Sequence, residues 1–178
     1  MKKTLLGLLI LFSAALANAT TLNCDQVSCV SVGGGGISNI GARVYNTTNQ
    51  SIPNSVNTAL TLNSERYDTN NIHSTSSNTS RLTARTAGKY SIFGTIKLDA
   101  NATGTRYIII YLNGTTKIGE NYAEGDSVDL ASLSISVIYH LNVDDYVELM
   151  VHQNSAGALN NLASPNHSPE FGMTLIQQ

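Results

Sequence analysis

Apolar and polar residues alternate along much of the chain, the two-residue period of pleated strands with one buried face. The pattern is longest in Arg81–Leu98. A short segment, Leu82 and Thr83, runs into a Thr-Ala-Gly break, and a long strand follows. From Tyr90 onward, Tyr90, Ile92, Ile96 and Leu98 share one face; Ser91, Phe93, Thr95 and Lys97 share the other. Gly88 stands where the chain must turn before that strand, a place where a missing Cβ is useful. Gly94 interrupts the buried face, which implies a bulge or a close backbone approach.

The same pattern predicts strands at Ala42–Asn46, Thr58–Asn63, Thr105–Asn113, Val128–Leu141, Tyr146–Gln153 and Glu170–Ile176. Asn113-Gly114 is a hairpin signal, with Thr115–Gly119 as the returning strand. Ile52-Pro53-Asn54 reads as an extended segment entering a turn, because the residue before proline is pushed out of the helical region. Glu65–Asn78 reads as a polar loop, and Asn154–Ala163 as a loop with a small apolar segment. Thr105–Asn113 is apolar on both faces: Tyr107, Ile109 and Tyr111 oppose Ile108, Ile110 and Leu112. Such a strand leaves a large apolar patch unless it lies centrally in a sheet or meets another subunit. Many strands, Asn/Gly/Ser turns and no helical run imply an all-β sandwich or jelly roll. No fixed-period repeat is present, which argues against a propeller or solenoid.

Composition supports this reading. Of 178 residues only 12% are charged, and Ser, Thr and Asn fill the polar positions. Long helices are better served by Ala, Leu, Glu and Lys. Lys and Arg are scattered and form no basic stripe, so nucleic acid is not an expected partner.

Met1–Ala19 has a basic head at Lys2–Lys3, an apolar middle and an Ala17-Asn18-Ala19 end, the layout of a secretory signal peptide. An uncleaved anchor and a lipid anchor at Cys24 are the alternatives; the apolar run is short for a span of about 20 residues. Cleavage after Ala19 leaves 8 basic and 12 acidic side chains, a net charge of −4. The product would be secreted, periplasmic or on the cell surface, with no membrane span. Cys24 and Cys29 are the only cysteines. In an oxidising compartment they imply a local disulfide or an interchain bridge. Four consecutive glycines, Gly33–Gly36, follow as a joint. Residues 20–41 thus read as a tether and residues 42–178 as one domain.

Glu120, Glu124, Asp126 and Asp129 form the densest acidic group. Glu124, Asp126 and Asp129 are calcium candidates, since that ion wants several oxygens at close range; a solvated acidic loop or a glycosidase pair are the other readings. His73, His140, His152 and His167 lie on different segments and read as surface histidines. Ser74 and Ser76 lack the setting that exposes a nucleophile. No catalytic residue and no resident cofactor are expected.

The order of landmarks resembles the complement C1q globular-head family, within the wider tumour necrosis factor-like jelly rolls. Leu82, five residues, then Gly88-Lys89-Tyr90-Ser91-Ile92-Phe93-Gly94 match its central motif. Glu65-Arg66-Tyr67-Asp68, Asn113-Gly114, Asp144-Asp145-Tyr146-Val147-Glu148-Leu149 and Ser168-Pro169-Glu170-Phe171-Gly172-Met173 match in order. The resemblance runs from Ala42 to the C-terminus and is nearest to the versions found in bacteria and their phages. Leu82 stands where the family usually has Phe, and Ile92 and Gly94 replace aromatics. No collagen stalk is present.

The resemblance implies a ten-stranded jelly-roll β-sandwich assembled as a compact homotrimer. Leu82, Gly88, Tyr90, Ile92, Val147, Leu149 and Phe171 would then be structural. The function it implies is a secreted recognition or adhesion module. A protein or glycan would bind through the loops Glu65–Asn78, Gly119–Asp126 and Asn154–Ser168. A structural or decoration protein of phage-like origin is the alternative, and an exported glycan hydrolase a third.

Overall fold

The computed structural model describes residues 39–164 and 166–178. The expected signal peptide, most of the expected tether and Cys24 and Cys29 lie outside these residues. Among the described residues there is no helix, and so none long and apolar enough to cross a membrane. The strands are β1 (Gly41–Tyr45), β2 (Gln50–Ile52), β3 (Thr58–Ala59), β4 (Ser64–Asp68), β5 (Arg81–Thr83) and β6 (Gly88–Leu98). They continue as β7 (Asn101–Leu112), β8 (Thr116–Asp126), β9 (Ala131–Leu141), β10 (Tyr146–Gln153), β11 (Leu159–Asn161) and β12 (Glu170–Gln177).

These strands form two antiparallel sheets, the jelly-roll sandwich. One runs β2-β11-β6-β12-β1-β4 with β9 on the far edge of β6; the other runs β3-β10-β7-β8 with β5 also on β10. Twelve strands are present rather than ten because short pieces change sheets. Pro53 has no N–H to donate, and it lies between β2 in the larger sheet and β3 in the smaller. The break after Thr83 likewise carries the chain from β5 in the smaller sheet to β6 in the larger.

The alternation in β6 is realised in full. Tyr90, Ile92, Ile96 and Leu98 are buried between the sheets with Leu82, Val147, Leu149 and Phe171. Tyr90 reaches the edge of the core, where its hydroxyl donates to Thr86 O at 2.7 Å. That bond answers the polar group that burial would otherwise leave unpaired. Gly88 has φ 156°, and a Cβ there would run into the backbone oxygen of Gln177. Gly94 marks a close approach and not a bulge: β6 pairs with β9 without interruption from Gly88 to Leu98. A Cβ on Gly94 would sit 2.6 Å from Leu149 Cδ1 of the opposite sheet. Asn113 and Gly114 both take positive φ, 50° and 71°, the conformation that Asn-Gly supplies in a hairpin.

Four readings change. Asn154–Ala163 is not all loop, since its apolar segment contains β11, paired with β2 and β6. Glu65–Asp68 is not loop but part of β4, paired with β1. Gly119–Asp126 is not loop but the second half of β8, paired with β7. Thr58–Asn63 is a strand only at Thr58–Ala59. Leu60 and Leu62 are buried as its alternation requires, but their N–H groups go to Leu149 O and Thr79 O.

The doubly apolar segment is the centre of the smaller sheet. Ile108 and Ile110 face the core between the sheets. Tyr107, Ile109 and Tyr111 face outward, among neighbours from β10 and β8: His152 and Tyr122 beside Tyr107, Met150 and Glu120 beside Ile109. Ile109 is thereby buried within its own chain.

Candidate functional site

A cleft of about 350 Å³ lies at one end of the sandwich. Its walls are the loop between β4 and β5, the start of β5, the turn after β5 and the β9–β10 turn. The loop is fastened at its base by Asp68. One carboxylate oxygen accepts the N–H groups of Asn70 (3.1 Å) and Ile72 (3.0 Å), and the other accepts that of His73 (2.9 Å).

His73 is buried, against the surface position expected from sequence. Its Nε2 lies 3.1 Å from Thr79 O and its Nδ1 2.9 Å from Glu65 Oε1. Both partners are oxygen acceptors, so each ring nitrogen is occupied within the fold. With both ring nitrogens engaged, His73 is a latch and does not serve the nearby Ser74 as a base. It holds Ile72 inward, where that side chain joins the core.

Two guanidinium groups face the cleft. Arg81 lies over the Tyr146 ring, 4.0 Å from its centroid, and its Nε is 3.5 Å from Glu148 Oε1. Arg85 donates from Nε to Asn71 O at 2.9 Å, with Nη1 3.4 Å from Asp144 Oδ1. Both ion pairs are long and partly exposed, a class worth about 0–1 kcal/mol. The two cations are therefore positioned by the ring and the loop but weakly neutralised. Hydroxyls of Ser74, Ser77 and Thr83 and the Asn78 amide complete the lining. This chemistry suits an acidic group: a planar fork of donors recognises a carboxylate or sulfate in two-point fashion.

Glu120 lies midway along β8, while Glu124, Asp126 and Asp129 lie toward the opposite end of the smaller sheet; Glu120, Glu124 and Asp126 each have a local partner. Glu120 pairs with Lys117, and Glu124 Oε2 accepts from Thr105 Oγ1 at 3.2 Å. Asp126 Oδ1 accepts the N–H groups of Asp129 (2.9 Å) and Val128 (2.7 Å), which holds its carboxyl below the usual range. Among the described residues no three His, Cys, Asp or Glu side chains converge as a metal would require. His140 and His167 are exposed, and His152 is half-buried on the outer face of β10. The three loops expected to bind together do not converge either. Thr69–Ser80 lies at the cleft end, while the end of β8 and the segment after β10 lie at the other.

Sequence reading missed Arg106. Its side chain is fully buried at that other end. Nη1 donates to Thr103 O and, at 2.9 Å, to Gly104 O; Nη2 donates to Asn101 O at 2.6 Å. Burial lowers its pKa from the ordinary value, and Glu124 opposes that shift. The only signal in the sequence was an arginine inside an apolar run.

No family model matches the chain, and no curated protein matches it significantly. Solved structures do. Murine APRIL at pH 5.0 aligns with a TM-score of 0.60 at 13% identity, covering 78% of this chain and 99% of that one. Eiger TNF from S. frugiperda aligns with a TM-score of 0.56 at 12% identity, covering 79% and 94%. At these identities the likeness is one of fold: a tumour necrosis factor-like and C1q-like jelly roll.

Proposed function

We propose that the chain is an exported, trimeric jelly-roll recognition module that engages an acidic protein or glycan at its end cleft. The observation that carries the reading is the pair Arg81 and Arg85, held at the rim of a preformed cleft with only long carboxylate partners. A rigid sandwich with binding groups on end loops is a common division of labour in β proteins.

The trimer is supported by the outer face of the larger sheet. Phe93 lies over Gly172, where a Cβ would collide with the ring. On β9, Ile138 is 65% exposed on this face. The other outward residues of β9 are Ser132, Ser134, Ser136 and His140, none of them an acid, lysine or arginine. Such a surface fits the apolar core of a subunit contact. Export rests on the layout of Met1–Ala19.

Light scattering on the mature chain tests the assembly: three copies are expected, and a monomer refutes it. Binding is tested by titrating an acidic peptide and a sulfated glycan against the wild type and the double variant Arg81→Ala, Arg85→Ala. Saturable binding lost in the variant is expected. A trimer with no saturable binding refutes recognition at the cleft and fits a structural role.

A further inference from the structure

The outer face of the smaller sheet carries a second recess, about 200 Å³, far from the Arg81–Arg85 rim in character and composition. It is built on the segment whose two apolar faces stood out in the sequence. The inner face of β7 is absorbed by the core. Among the described residues no third layer covers the outer face, and what it presents is aromatic and amphipathic.

A row of rings crosses three strands. Tyr107 on β7 lies 5.5 Å from His152 on β10 and 5.7 Å from Tyr122 on β8, centroid to centroid. Tyr122 is 61% exposed. Ile109 forms the floor, and Tyr111 stands on the far side, where its hydroxyl accepts from Asn57 Nδ2 at 3.4 Å. The charges in the recess are Lys117 and Glu120, joined to each other. The recess therefore combines flat apolar surfaces with directional polar groups and carries no net charge.

That combination selects among occupants. An anion meets Glu120, and Lys117 is already spent on it. A broad protein contact wants a contiguous apolar core with few charges, and here an ion pair sits inside the recess. A sugar ring matches both halves: its C–H face packs on an aromatic ring, and its equatorial hydroxyls need donors and acceptors at the rim. The volume is below the about 300–1,000 Å³ of drug-sized pockets, which suits one ring of a longer chain. Tyrosine supplies contact area at low entropic cost, and strands hold such side chains more exactly than loops do.

We infer that this recess is a subsite for one pyranose ring of a neutral glycan, stacked on Tyr107 and extending onto the neighbouring exposed Tyr122, which borders the recess without lining it, and hydrogen-bonded by Asn57 and the Lys117–Glu120 pair. The subsite is independent of the end cleft and of the assembly state proposed above. It lies on the opposite side of the sandwich from Phe93 and Ile138, so a subunit contact there leaves it open.

The test uses the mature chain and four soluble neutral polysaccharides: a β-1,3-glucan, a mannan, a galactan and a xylan. Retardation in gels containing each is measured, and tyrosine emission is followed in parallel, since the chain has no tryptophan. At least one polysaccharide is expected to retard the protein. Tyr122→Ala should weaken that binding about fivefold to tenfold by loss of stacking. Tyr122→Phe should retain it within about twofold, because the ring remains. Arg85→Ala should leave it unchanged, which separates this site from the cleft. No retardation by any of the four overturns the inference, as does retention in Tyr122→Ala or equal loss in Arg85→Ala. A smaller assembly in Tyr122→Ala, by light scattering, overturns it in favour of a contact between copies.

Discussion

Where β7 begins and β10 finishes, the sandwich is closed by polar side chains removed from water. Arg106 spends both terminal nitrogens on backbone carbonyls, with only Nε unpartnered. Beside it, Gln153 Nε2 donates to Ile52 O (3.0 Å) and Gly157 O (2.8 Å), and its Oε1 accepts from Ser155 N (2.7 Å). At the opposite end, where β10 starts, the polar side chains face an open cleft and the carboxylate contacts of Arg81 and Arg85 are long. Both ends carry arginine. Burial with satisfied hydrogen bonds makes one arginine part of the fold; exposure with weak pairs leaves the other two available for a ligand.

That contrast can be broken most severely at the closed end. Arg106→Ala leaves the carbonyls of Asn101, Thr103 and Gly104 without their donor, and should cost about 3 kcal/mol or more. Urea denaturation measures it, and a loss under about 1 kcal/mol would mean that the plug is dispensable. Gln153→Ala removes two buried donor bonds and should cost about 1–3 kcal/mol in the same assay.

The open end should respond weakly in stability. Asp145 accepts from Asn113 Nδ2 at 2.8 Å and from the Asn142 backbone N–H at 2.8 Å, so its carboxyl lies below the usual range. Its folded-state pKa is depressed. The stability it adds is therefore present above the unfolded value of about 3.9 and is lost as pH falls through the folded value. Being nearly exposed, the group contributes under about 1 kcal/mol. Asp145→Asn should be slightly less stable at pH 7 and lose less on acidification to pH 3, as followed by thermal melts; an unchanged acid limb contradicts the assignment. Arg85→Ala should shift stability by no more than about 0.5 kcal/mol, while the acidic peptide binds it less tightly in titration calorimetry. Equal affinity would separate the cleft from recognition.

Leu82, Tyr90, Ile92, Val147, Leu149 and Phe171 were legible from sequence because a buried face writes itself as alternation. Glu65–Asp68 and Gly119–Asp126 were not, because each lies in the outermost strand of its sheet with many residues exposed. An edge strand owes its form to hydrogen bonds with a distant partner, and its side chains need not repeat every second residue. Leu60 and Leu62 show the converse: alternation signalled burial, yet their backbone never joined a ladder. The cleft was hidden for a related reason. Arg85 sits in what reads as a break, and Asp144 and Tyr146 join it only after the chain has crossed the sandwich. The Tyr107–Tyr122 contact depends on a register that shifts between Ile110 and Tyr111, which local pattern does not encode.

One consequence follows from where Glu170–Gln177 lies. β12 is threaded between β1 and β6, so the first and sixth strands to be made are not joined across the middle of the sheet until the twelfth arrives. During synthesis the larger sheet has a gap in its middle, and nothing made before residue 170 fills it. If the export proposed above begins before translation ends, the chain arrives with that sheet still unclosed. Delayed closure keeps the polypeptide threadable, and it exposes β1 and β6 as unpaired edges if translation stalls.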